Sequence, residues 1–301
     1  MHTQFKVRIG INPISWMNDD LPSLGGETPL ETALSEGASI GYRGFELGNK
    51  FPKEPGALRA VLGKYGLACV SGWYSGRLAE RSAEEEIAAI GPHLALLRES
   101  GARVMVYGEV ADAIQGLPQP LYQRPRFTSA VQWEAYAARL NALARHTLAH
   151  GVHLSYHHHM GAYVETADDI DRLMALTGPE VGLLFDTGHI TFAGANAVEV
   201  LRRHIGRVNH VHCKDVRPAV LKLARNRNWS FLEAVLNGAF TVPGDGCVEF
   251  RAILGLLHAH GYQGWLVVEA EQDPAVAPSF EYAQKGYRHL FQLVREREMA
   301  A

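Results

Sequence analysis

Eight short runs rich in Val, Ile, Leu and aromatic residues, each followed by a stretch of helical period, pass along the chain with no Ser/Pro-rich linker dividing them. The runs read as strands near 7–13, 43–48, 68–74, 103–109, 153–159, 181–187, 207–214 and 264–271. Helical patterns fall at about 29–38, 55–64, 83–100, 130–150, 166–176, 196–203, 247–260 and 278–296. Several of them stop at a glycine suited to the left-handed position after a helix: Gly41, Gly66, Gly101, Gly151 and Gly261. Eight strand–helix units fit a closed parallel α/β barrel, (β/α)8, and that is the expected fold, as one domain over residues 1–301. At 301 residues the chain is twice the usual domain length of about 150, but barrels of this kind commonly run past 250 residues as one unit. An open doubly wound sheet is the structural alternative. No GxGxxG follows the first strand to support it.

Composition narrows the function classes. Hydrophobic residues make up 47% and charged ones 20%, enough for a packed core and against disorder. The formal charge of -3 is spread without long blocks of one sign, so no nucleic-acid or anionic-membrane partner is expected. The start, MHTQFKVRIGINP, has no apolar signal core, and no apolar run approaches the roughly 20 residues of a membrane span. A cytoplasmic location is expected. Cys69, Cys213 and Cys247 are odd in number and lack CxxC spacing, which reads as three reduced, packed thiols rather than a disulfide framework or thiolate zinc site.

Two strand-to-helix connections are long, at about 109–129 and 215–246, and both would hang over the C-terminal mouth where barrel enzymes keep their sites. The stretch 219–238 reads as carrying a helix of its own, and VPGDG as a tight turn.

Histidine is the informative residue. Of 15, eight lie between positions 153 and 212. A lone histidine is ordinarily a surface or satisfied core residue; a cluster at strand ends needs another account. Alternate residues of a barrel strand point inward. In RVNHVHCKD, the apolar Val211 and Cys213 should face the helices, leaving His210, His212 and Lys214 inside. In GWLVVEAEQD the inward set is Val267, Glu269 and Glu271. VGLLFDTGHI ends at Asp186, with His189 on the turn, and HLSYHHHMG places His157 and His159 on one parity. Glu46 and Glu109 add carboxylates from the second and fourth strands. Buried charges in such number require compensation worth several kcal/mol each, which a divalent cation supplies. His157, Asp186, His212 and Glu269, one from each of four successive strands, offer mixed N/O ligation suited to Mn, Co, Fe or Zn.

FDTGH, NHVHCKD, VPGDG and WLVVEAEQDP resemble the xylose-isomerase-like barrel superfamily of sugar isomerases, epimerases and related enzymes. More narrowly, GINPISWMNDD, ELGNKFP, HHHMG and EAEQDPA look like the inosose dehydratases of inositol catabolism, the likeness running from about Ile9 to Leu290. The superfamily's ligands, usually Glu, Asp, His and Glu, fall on His157, Asp186, His212 and Glu269. The first departs from the pattern, which leaves open whether His157 binds the metal or three protein ligands are completed by water. The departure also removes one of the two opposed carboxylates that an epimerase uses.

The resemblance implies dehydration of 2-keto-myo-inositol (scyllo-inosose) to a trihydroxycyclohexane-1,2-dione, with Mn2+ or Co2+ as metal and a need for glutathione left open. A metal-dependent ketose isomerase or epimerase on the same barrel is the alternative; an abasic-site endonuclease or a non-enzymatic carbohydrate binder fits the charge and the ligand set less well. His189, Lys214, Glu269 and Glu271 are the inward candidates for acid, base and substrate contact. Lys214 has a competing reading as a salt bridge to Glu271. Asn12, Glu46, Lys50, Glu109 and His159 are the expected polar contacts of the substrate, with Trp73 or Trp16 offering an apolar face. The partner is thus a small keto-polyol, and the superfamily's habit of associating implies a homo-oligomer.

Overall fold

The computed structural model describes residues 5–300. Eight parallel strands close a barrel: β1 (Val7–Ile11), β2 (Gly44–Leu47), β3 (Ala68–Gly76), β4 (Val104–Glu109), β5 (His153–His157), β6 (Val181–Asp186), β7 (Val208–Cys213) and β8 (Gly264–Val268). Neighbours in sequence are neighbours in space, and β1 pairs with β8 over Val7↔Gly264 to Ile11↔Val268 to seal the ring. The expected fold holds, and each expected strand is present. Most strands stop one to three residues before the sequence reading because their last residues splay into the mouth: Glu269 and Glu271 follow β8 rather than end it.

Helix starts follow local chemistry. Ser82 with Glu85, Ser129 with Gln132 and Thr166 with Asp169 form reciprocal capping boxes at the helices Ala83–Glu99, Ala130–Ala149 and Ala167–Leu176. The stops at Gly66, Gly101, Gly151 and Gly261 have φ between +67° and +84°, where a side chain would be strained. The helices' apolar faces pack on the outer faces of the strands as one core that includes Leu34, Phe45, Leu97, Leu140, Phe185 and Leu257. Inside the barrel the N-terminal half is plugged by Val70, Trp265 and Val267. Gly44 makes room for that plug, since a Cβ there would lie 2.9 Å from the Trp265 ring and 2.6 Å from the Ala68 carbonyl. Above the plug the interior turns polar.

The two long connections cover the mouth. In the first, the buried Arg124 guanidinium donates to Asp169 at 2.6 Å and to the carbonyls of Ala162 and Tyr163, tying the segment to β5's exit. In the second, two helices, Pro218–Arg227 and Phe231–Leu236, replace the single helix expected over 219–238. Asn228 takes a left-handed conformation (φ 52°) and Ser230 starts the next helix with its own capping box, so the chain turns where the sequence pattern ran on. Met160, Phe192, Val216, Phe231 and Phe240 form a second apolar cluster that seats this segment over the barrel. The turn of VPGDG is held by Asp215, whose carboxylate accepts from the backbone N–H of Val216, Gly244, Gly246 and Val248 at 2.8–3.0 Å. Asp245 pairs with Arg217 at 2.7 Å, outside the pocket. Among the described residues no helix is long and apolar enough to cross a membrane.

Candidate metal centre

Four side chains from consecutive strands meet where the interior turns polar. His157 closes β5, Asp186 closes β6, His212 lies in β7 and Glu269 follows β8. Register puts Asp186 opposite His212, and His212 opposite Val267. One ligand-capable atom from each of the four falls within 4.8 Å of the others. His157 Nε2 is 3.4 Å and His212 Nδ1 3.5 Å from Asp186 Oδ2, and His212 Nδ1 is 3.0 Å from Glu269 Oε2.

The donor set fits a divalent cation. Asp186 Oδ1 is spent on the backbone N–H groups of Gly188 and His189, both at 2.8 Å, which start the short helix Thr187–Phe192. Its Oδ2 and His212 Nδ1 are buried without a hydrogen bond, while Glu269 Oε2 meets, beyond the cluster, only the Lys214 ammonium at 3.1 Å. Orphaned buried atoms of this kind carry a desolvation cost of about 1–3 kcal/mol each unless something is bound. His212 is oriented from below: Nε2 lies 3.0 Å from Glu46 Oε2, so its proton belongs on that nitrogen and the Nδ1 lone pair faces the cluster. Although burial pulls the other way, the carboxylates of Glu46 and Glu269 hold the His212 imidazole well above its usual range. A bound cation would take the place of that second proton. His158, facing outward, accepts from the Asp186 backbone N–H at 3.2 Å and steadies the end of β6.

Glu46, expected as a substrate contact, lines the cavity above the cluster and is at the same time held by polar neighbours. His210 Nε2 donates to Glu46 Oε1 at 2.8 Å, Ser71 Oγ at 2.5 Å, and Asn12 Nδ2 donates to Oε2 at 2.8 Å. Despite burial, the two imidazoles hold the carboxyl well below the usual range. Ser71 reaches inward because β3 carries one extra residue against β2 between Phe45 and Leu47. Glu46→Gln is expected to weaken metal binding about 10–100-fold, the usual cost of losing the carboxylate behind a ligating histidine. Competition with a chromophoric chelator would measure this; unchanged affinity would mean that His212 needs no such support.

Beside the four lies a second group. Lys214 Nζ, fully buried, is 2.9 Å from Glu271 Oε2, 2.9 Å from His189 Nε2, 3.1 Å from Glu269 Oε2 and 3.8 Å from Asp186 Oδ2. The salt bridge to Glu271 and the inward placement are therefore both real. Burial pushes the Glu271 carboxyl up to about 8 against the opposing pull of Lys214. Burial lowers the His189 imidazole well below its usual range, with His159 and Lys214 adding to the effect. The Gly of FDTGH makes this possible: a Cβ on Gly188 would sit 2.4–2.7 Å from Lys214 Cγ, Cδ and Cβ. Gly188→Ala is expected to destabilise the fold by about 1–3 kcal/mol through overpacking and to move the ammonium off Glu271. Denaturant unfolding together with kcat reads both.

Above these groups opens a cavity of about 220 Å³ lined by Asn12, Trp73, His157, His159, Glu269 and Glu271, among others. Trp73 stands edge-on to His157 and His159 at 5.4 and 5.9 Å, and Gly108 leaves space for its indole. A larger cavity of about 900 Å³ opens at the N-terminal end of the barrel, away from the four-residue cluster. Lys50 is not brought to the pocket: its ammonium is held by the carbonyls of Gly26 and Thr28, both at 2.6 Å. Glu109 is also outside, accepting from Tyr107 Oη, Ala79 N and Ala111 N, with burial pushing it up to about 7. Trp16 is core, its Nε1 donating to Glu36. Asp19, Asp20 and Lys53 line the mouth without having been singled out from sequence. They sit in irregular segments after β1 and β2, where no periodicity marks a direction.

Comparison with known proteins places this geometry. Residues 34–293 match the family model of the xylose isomerase-like TIM barrel. The chain is 52% identical to the rhizopine catabolism protein MocC of Rhizobium meliloti, over 94% of this chain and 87% of that one. It is 44% identical to the inosose dehydratase of Geobacillus thermodenitrificans, over 96% and 98% of the two chains. Among solved structures, the IOLI protein with a bound zinc atom superposes with a TM-score of 0.71 at 14% identity, covering 97% of this chain and 99% of that one. An L-ribulose 3-epimerase superposes at 0.67 with 18% identity, covering 98% and 96%. The chain belongs to the xylose isomerase-like TIM barrel family, among the inosose dehydratases and their relatives.

Proposed function

We propose that the protein is a metal-dependent hydro-lyase that removes water from 2-keto-myo-inositol to give a trihydroxycyclohexane-1,2-dione in inositol catabolism. The observation that carries the reading is the seat of Lys214, Glu271 and His189 directly beside the four-ligand cluster, in a chain 41–44% identical to several inosose dehydratases over nearly its whole length. His157, Asp186, His212 and Glu269 would hold the cation, and two nitrogens with two carboxylates suit Mn2+ or Co2+, with Zn2+ and Fe2+ as the other candidates. When bound, the cation supplies Lewis-acid stabilisation of the oxyanion that develops at the ketone, worth several kcal/mol.

The rest is done by the chain's own groups. Glu271, whose carboxyl burial pushes up to about 8, takes the proton from the carbon next to the ketone. Lys214 gives a proton to the hydroxyl on the next carbon as its C–O bond breaks, and water leaves. The enol that remains tautomerises to the dione. The Glu271 proton then returns to Lys214 across their 2.9 Å hydrogen bond, so the pair resets without outside reagents. Acid and base so close together work on one face of the ring. Trp73, His159 and Asn12 line the cavity that would take the ring. An epimerase would need a second base on the opposite face, and there β5 offers His157 instead of a carboxylate.

The three thiols fit a cytoplasmic enzyme, although Cys247 is exposed rather than packed as expected. The experiment is direct. Scyllo-inosose incubated with the Mn-loaded protein, with and without glutathione, should lose 18 mass units and yield the dione; epimerised polyol of unchanged mass would instead establish the isomerase reading. Because the relative named for rhizopine catabolism is more similar than the dehydratases, a panel of cyclic keto-polyols belongs in the same assay.

A further inference from the structure

A second set of potential ligands stands next to the first. His159, His189 and Glu271 also bring one ligand-capable atom each within 4.8 Å of one another, all buried. His159 Nδ1–H donates to the Met160 carbonyl at 2.8 Å, which leaves its Nε2 lone pair for the interior, and His189 turns its Nε2 to the same space, where it accepts from Lys214 Nζ at 2.9 Å. Two imidazoles and a carboxylate, with solvent or substrate as a fourth partner, make a sufficient site for a transition metal. Glu269 lies between the two sets, its Oε2 3.0 Å from His212 Nδ1 and 3.1 Å from Lys214 Nζ, where a carboxylate bridges cations in two-metal centres.

Lys214 already occupies that second position. Its Nζ is 2.9 Å from both His189 Nε2 and Glu271 Oε2, its stem packs on Gly188, and the Phe240 ring backs the ammonium at 4.9 Å. Charge agrees with geometry. With the first cation bound and Glu271 ionised, Asp186, Glu269 and Glu271 face the lysine with three negative charges, which one divalent cation plus one ammonium balance; a second divalent ion beside the ammonium would leave an excess of two positive charges in a buried site.

We infer that the Lys214 ammonium is a tethered cation filling a latent second metal site built from His159, His189 and Glu271, and that it keeps the centre mononuclear. The inference rests on the metal-dependent reading above, and it explains why three ligand-type side chains that the first cation does not use converge on one lysine.

Metal stoichiometry tests it without reference to activity. Protein stripped with chelator is reloaded with excess Mn2+ or Zn2+, desalted and analysed for bound metal, with circular dichroism to show that each variant is folded. Wild type should retain one equivalent and Lys214→Ala two. Lys214→Arg, which keeps the charge, should retain one, and Lys214→Ala combined with Glu271→Gln should fall back to one. A folded Lys214→Ala that still binds a single ion, or a wild type that binds two, overturns the inference. A wild type that binds none overturns the metal-dependent reading itself, so the two failures are distinct.

Discussion

Asp186→Asn is expected to lower kcat/KM by about 10³-fold or more, the loss of several kcal/mol of Lewis-acid stabilisation. The side chain has two separable tasks. Oδ1 caps the helix Thr187–Phe192 through Gly188 N and His189 N, and the Asn amide oxygen can still do that. Oδ2 faces the cluster with no hydrogen bond of its own, and there the amide puts an uncharged group where the cation needs a carboxylate. The variant should therefore fold with near-normal stability in chelator while its metal affinity and turnover collapse together. Calorimetric titration with Mn2+ and steady-state kinetics on one preparation would show this. Retained metal binding with lost activity would instead place Asp186 in the proton chemistry.

Lys214→Met should lower kcat by about 10²- to 10⁴-fold, the range for removing a positioned proton donor. It should also destabilise metal-free protein by about 3–5 kcal/mol, because removing one partner of a buried pair leaves its anions uncompensated. The pH dependence of that loss has a definite sign. A carboxyl whose folded-state value lies above its unfolded one binds extra protons when folded, so its share of stability is present at low pH and is lost as pH rises between the two values. For Glu271 the window runs from the ordinary 4.5 to about 8 in wild type. Without the lysine, whose pull lowers Glu271, the window extends upward, and the deficit should be larger at pH 9 than at pH 6. Denaturant titrations in chelator at the two pH values test it; an equal deficit at both would mean that Lys214 does not set the charge of Glu271.

Period-two alternation made half of this site legible. The apolar Val211 and Cys213 identify the outer face of β7 and thereby turn His210, His212 and Lys214 inward, and the same logic reads Glu269 and Glu271 after β8. What alternation leaves undetermined is how far up the barrel axis each inward group sits and what it meets there. Glu46 and Glu109 carry the same signal, a carboxylate at or near a strand end. Glu46 faces two imidazoles, one of them the His212 of the four-residue cluster, whereas Glu109 is consumed by Tyr107 and the backbone of residues 79 and 111. The difference depends on tertiary neighbours that come from other strands.

Loop groups were less legible still. Lys50 and Lys53 are three residues apart in one turn, yet only Lys53 reaches the pocket, because the carbonyls of Gly26 and Thr28 capture Lys50. No local pattern encodes which of two neighbouring lysines a distant loop will hold. The break at Asn228 is similar: a left-handed residue between two short helices costs the chain little, and the helical period alone passes over it.

Restoration of dehydration by metal is the most direct test of the central claim. Protein stripped with chelator, then titrated with Mn2+ or Co2+ in the presence of scyllo-inosose, should recover loss of one water per substrate in proportion to added metal, with activity saturating at one equivalent. Dehydration that persists at full rate in the stripped protein, or metal-loaded protein that leaves inosose unchanged while epimerising a ketose, would contradict it.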